Sequence, residues 1–75
     1  MMHQVFSITI EASYREKADG ILLKYWNNGD IDTLLNDTQY HADGYYTITY
    51  WLQLYCSEDI EAIKNEFQEN GIKVL

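Results

Sequence analysis

Two histidines, one cysteine and a large set of carboxylates are the side chains from which this sequence would build a reaction centre. An imidazole binds metal or shuttles protons, but neither His3 nor His41 has a second ligand at a metal-binding interval. Cys56 needs a cationic neighbour or a base to become a nucleophilic thiolate. The segment Leu54-Tyr55-Cys56-Ser57-Glu58 supplies neither. Cys56 is expected instead as a buried, inert thiol on the core side of a strand. Asp30-Ile31-Asp32 opens like a calcium loop, but Leu35 stands where that loop needs glycine and His41 where it needs an acid. No nucleophile is paired with a base, and no phosphate-cradling loop is present. The expectation is a protein that is not an enzyme and holds neither cofactor nor metal.

Charge and aromatic content say more. Twelve Asp and Glu stand against five Lys and Arg, a formal charge of −7 on 75 residues. Proteins hold nucleic acid by placing Lys and Arg on phosphates, so this chain is a poor ligand for DNA, RNA or an anionic membrane. A basic protein surface suits it better. Aromatic residues make up 15% of the chain, seven of them Tyr and two Trp. A single cysteine allows no internal disulfide and fits a reducing compartment. No apolar run reaches the roughly 18 residues of a membrane span. The opening Met1-Met2-His3-Gln4 lacks a basic signal region, so the cytoplasm is the expected location.

These side chains need elements to position them, and the length gives one domain, residues 1–75, with one thin core. Val5–Glu11 alternates, with Phe6, Ile8 and Ile10 on one side, as a half-buried strand does. Ser13-Tyr14-Arg15-Glu16 reads as a capping box opening a helix. Its apolar stripe is Tyr14, Ala18, Ile21, Leu22 and Tyr25, and Asn27-Asn28-Gly29 ends it. Residues Asp30–Asn36 fit either one helical turn or a strand. Ala42-Asp43-Gly44 signals a hairpin. A three-residue loop with Gly44 in the left-handed position brings Tyr40 opposite Tyr46 and Leu34 opposite Leu52, which keeps apolar residues together. A two-residue turn would put His41, Gln39 and Asp37 into the core.

Tyr45–Cys56 is the longest strand expected. Tyr46, Ile48, Tyr50, Leu52, Leu54 and Cys56 share its core side. Tyr45, Thr47, Thr49, Trp51, Gln53 and Tyr55 share the other, joined by Ser7, Thr9, His41 and Gln39. Ser57 is expected to cap a second helix with Ile60, Ile63 and Phe67 as its buried stripe. Asn70-Gly71 stops that helix, and Ile72–Leu75 reads as a short final strand.

The order β-α-β-β-α-β resembles the ferredoxin-like plait, an α+β fold. That resemblance implies a four-stranded antiparallel sheet with two helices on one face and the other face open. Tyr45, Trp51 and Tyr55 on the open face have the composition of a binding hot spot. Aromatics on such a sheet also suggest single-stranded RNA binding, but the strand that carries them has no Lys or Arg. In size, charge and lack of catalytic residues the chain resembles phage-encoded anti-CRISPR and other anti-defence proteins, immunity proteins and some antitoxins. The expected function is therefore a small acidic inhibitor that covers a basic surface of a larger protein. Tyr45, Trp51 and Tyr55 would anchor it, and Asp37, Asp43, Glu58 and Glu61 would steer it. The alternative is a homodimeric plait that binds a small metabolite.

Overall fold

The computed structural model describes residues 4–75; His3 lies outside them. Among the described residues three strands and two α-helices follow in the order β1 (Gln4–Glu11), α1 (Arg15–Asn27), β2 (Ile31–Tyr40), β3 (Tyr46–Leu54) and α2 (Asp59–Glu69). The sheet runs β1-β3-β2, and β3 is antiparallel to both neighbours. The fold is α+β, with three strands in the sheet rather than four.

Alternation builds the layers. Ile8 and Ile10 of β1, and Ile48, Tyr50, Leu52 and Leu54 of β3, are buried on one face. Ala18, Ile21 and Leu22 of α1 and Ile60, Ile63 and Phe67 of α2 close the same core over them. Both helices therefore lie on one face of the sheet. The Tyr50 hydroxyl reaches across this layer and donates to Asp19 Oδ1 at 2.6 Å. Burial and that bond to a carboxylate push the Tyr50 phenol well above its ordinary pKa.

Backbone chemistry sets the turns. Gly29 and Gly71 take positive φ, 83° and 77°. There they let Asp30 N donate to Tyr25 O and Ile72 N to Phe67 O, closing each helix with a left-handed cap. Ile72 packs back into the core as a result. The hairpin has the three-residue loop. His41 N donates to Tyr45 O, Gly44 N to His41 O, and Gly44 sits at φ 86°. Tyr40 faces Tyr46 and Leu34 faces Leu52, as the apolar pattern requires.

Several expectations fail for physical reasons. Of the two readings open for the stretch after Asp30, residues 31–36 take the strand, and the register slips between Ile31 and Thr33. Asp32 is the extra residue of a bulge, which keeps Ile31 and Leu34 both on the core side. The capping box does not form. The chain enters α1 through a 3-10 turn, Ala12–Tyr14, and the Ser13 hydroxyl donates to Glu11 instead. Ser57 does not cap α2 either. The helix starts two residues later with Glu58 at the N-cap and no side-chain cap bond. β3 ends at Leu54, so Cys56 is exposed rather than buried. Tyr46 is 51% exposed because the core-side face runs beyond the helices that cover it. It packs edge-on against Tyr40 at 5.2 Å. Ile72–Leu75 forms no regular strand, and a single backbone bond, Leu75 N to Thr9 O at 2.8 Å, ties it to β1.

Candidate interaction surface

The sheet face away from the helices is built in rows across β1, β3 and β2. They are Glu11–Thr47–Gln39, Thr9–Thr49–Asp37, Ser7–Trp51–Leu35 and Val5–Gln53–Thr33. Nearest the hairpin loop the rows are polar and self-satisfied. The hydroxyls of Thr9 and Thr49 bond at 2.9 Å, and His41 Nε2 bonds Thr47 Oγ1 at 2.8 Å. Thr47 and Thr49 are consequently only 3% and 9% exposed. The other two rows mix Ser7, Gln53 and Thr33 with three apolar side chains that nothing among the described residues covers. Val5 is 64% exposed, Leu35 62% and Trp51 37%. Leu35 lies directly across from Trp51, and Val5 is its diagonal neighbour through the Val5–Gln53 pair. Diagonal neighbours on a sheet remain within reach of a large ring.

The three expected anchors do not form one cluster. Tyr45 stands in the hairpin connection, with its ring stacked on His41 at 4.6 Å. Tyr55 follows the end of β3 and donates its hydroxyl to Asp32 Oδ1 at 2.7 Å. That bond pushes the Tyr55 phenol up. At about 3.3 Å per strand residue, Tyr45 and Tyr55 sit roughly 20 Å and 13 Å along the strand from Trp51. The neighbours of Trp51 are instead Val5 and Leu35. Val5 was legible as an alternate-face residue of β1. Leu35 was legible too, because the hairpin register that pairs Leu34 with Leu52 also puts Leu35 opposite Trp51. Leu23 and Trp26 are also exposed on α1, off its buried stripe.

The expected acids divide in the same way. Asp37 lies on the open face, one row from Trp51 and opposite Thr49. Asp43 is in the hairpin turn. Glu58 and Glu61 belong to the start of α2, in the helix layer, and are not brought beside Trp51. Glu58 contributes to a different group. Partial burial, then Asp30, then Glu58 push the Asp59 carboxyl above its ordinary value.

Three of the five cations are engaged within the helix layer. Arg15 pairs with Asp19 at 3.6 Å, Lys24 with Glu66, and Lys17 donates to Asn70 O at 3.4 Å. The Lys24 ammonium holds the Glu66 carboxyl below its usual range. No strand carries Lys or Arg, and none occurs from Tyr25 through Ile63. The open face and the whole hairpin therefore present carboxylates that no Lys or Arg of the same segment neutralises. Among the described residues no group of His, Cys, Asp and Glu is arranged to hold a metal ion. No helix among them is long and apolar enough to cross a membrane. A surface concavity of about 390 Å³ lies between the β1–α1 connection and the hairpin, lined by Glu11, Ala12, Ser13, Tyr45 and Tyr46. Comparison with family models, with curated proteins and with solved structures found no match for this chain.

Proposed function

We propose that this chain is a small acidic protein-binding inhibitor, of the anti-defence, immunity or antitoxin kind, acting in the cytoplasm on a larger partner. It occupies a basic surface of that partner, one suited to nucleic acid. The observation that carries this reading is the exposed Val5–Trp51–Leu35 patch beside Asp37, on a sheet without Lys or Arg. An apolar centre with a polar rim, which here carries Asp37, is the usual anatomy of a specific interface. The sign of that rim selects a cationic partner and excludes phosphate backbones. The fold is read as a ferredoxin-like plait whose fourth strand is reduced to the Leu75–Thr9 contact, which stands on the outer edge of β1. Self-association through the same patch is disfavoured, because each copy brings a charge of −7.

The test is capture of a basic protein from lysate, followed by affinity measurements against salt. The complex weakens as salt rises, and Trp51→Ala loses about 2 kcal/mol of binding while the protein stays folded. A complex indifferent to salt, or a Trp51→Ala variant that binds as the wild type does, contradicts the reading.

A further inference from the structure

We infer that the free edge of β2 is the docking line for an extended, Lys- or Arg-bearing segment of the partner, which joins the sheet as an additional strand; this rests on the inhibitor reading above. The hydrogen-bond phase of the hairpin gives the geometry. His41 N donates to Tyr45 O, so the His41–Tyr45 pair is a bonded one. Bonded and non-bonded pairs alternate in an antiparallel ladder. Gln39, Asp37, Leu35 and Thr33 therefore turn their backbone groups to β3. Leu34, Asn36, Thr38 and Tyr40 turn theirs away from the sheet. The same phase holds at the other edge, where Thr9 O points outward and receives Leu75 N. On β2 no hydrogen bond among the described residues reaches the outward groups, and every side chain from Leu35 to Tyr40 is exposed.

Such an edge invites another strand, and proteins usually blunt it with lysine, proline or a short length. This edge has 10 residues and neither Lys nor Pro. Its guards are the Asp32 bulge and Asp37, with Asp43 in the turn beyond. Carboxylates on an otherwise available edge repel a second copy of this chain and accept a cationic strand. Added strands draw affinity from main-chain bonds and specificity from alternate side chains. Here Leu35 offers an apolar contact and Asp37 an ionic one on the same face of β2.

The experiment uses a capped ten-residue peptide of alternating Lys and Val as the probe, titrated into the full isotopically labelled chain. Amides of Leu34, Asn36, Thr38 and Tyr40 are expected to shift and to slow in hydrogen exchange. Those of Leu35, Asp37 and Gln39, already bonded to β3, change less. Affinity falls about tenfold or more as salt rises from about 50 to 500 mM. Thr38→Pro removes one outward N–H without touching the ladder to β3, and is expected to weaken peptide binding about tenfold. Absence of saturable binding, protection on another surface, or equal binding by a folded Thr38→Pro variant overturns the inference. So does edge protection that appears with protein concentration alone, which means self-pairing. Should Thr38→Pro fail to fold, the wild-type exchange pattern still decides. A basic partner protein that binds wild type and folded Thr38→Pro equally would leave the inhibitor reading standing and remove the edge. Edge binding of the peptide with no basic partner protein would do the reverse.

Discussion

Along β1 the outward carbonyl of Thr9 is taken by the Leu75 amide, with Ile72 buried and Val74 packed against the core nearby. Along β2 the outward backbone groups of Leu34, Asn36, Thr38 and Tyr40 meet nothing among the described residues. The two edges share one sheet and one backbone chemistry, yet only the β1 edge is even partly closed. That edge is secured by the one bond at Thr9 and by the apolar burial of Ile72. The other is left available and is qualified by charge, since Asp32 and Asp37 lie on it and no Lys or Arg does. The difference separates a surface that holds the fold from one that is free to act.

Substitutions that test this contrast differ in size. The largest effect is expected at the closed edge. Ile72→Ala empties a fully packed site and should cost about 2–5 kcal/mol in denaturant unfolding. Thr38→Ala on the open edge should stay within about 0.5 kcal/mol. Equal costs would abolish the distinction.

A smaller effect is expected between the sheet and the helices. Tyr50→Phe removes the 2.6 Å bond to Asp19 and should cost about 1.5 kcal/mol at neutral pH, because Asp19 remains hydrated. The same layer gives the fold an alkaline limit. Tyr25 donates to Glu66, and burial together with that carboxylate pushes its phenol up to about 12. A phenol whose pKa is raised by folding stabilises the fold below its unfolded value of about 10. That contribution is lost as pH climbs towards the folded value. Stability should therefore decline from about pH 10 to 12, and the double variant Tyr25→Phe/Tyr50→Phe should flatten the decline. An unchanged profile in that variant would assign the limit to other groups.

Where local chemistry fixed the backbone, the sequence was readable. Gly29, Gly44 and Gly71 all stand at positive φ, and the stops and hairpin register they imply are those observed. β1, β3 and the two buried helix stripes followed from periodicity alone. The failures share a cause, which is that a period does not state where it ends. Alternation carried past Leu54 placed Cys56 in the core, although the strand had already stopped. The same alternation put Tyr46 under helices that do not extend that far. β2 was ambiguous because the Asp32 bulge inserts a residue into the period, although the register that pairs Leu34 with Leu52 already implied Leu35 opposite Trp51. Grouping Tyr45 and Tyr55 with Trp51 took a shared strand face for a shared site. Strand length separates them.

The most direct test of the central claim, that the cation-free hairpin side is what the partner sees, is the salt slope of binding for two charge-neutralised proteins. One carries Asp37→Asn and Asp43→Asn on the hairpin, and the other Glu16→Gln and Glu69→Gln on the helices. Measured with the captured basic partner, the hairpin pair should lose about tenfold in affinity at low salt and flatten the slope, while the helix pair follows the wild type. Equal slopes for the two, or a larger loss from the helix pair, would place the interaction on the helix layer and contradict the account.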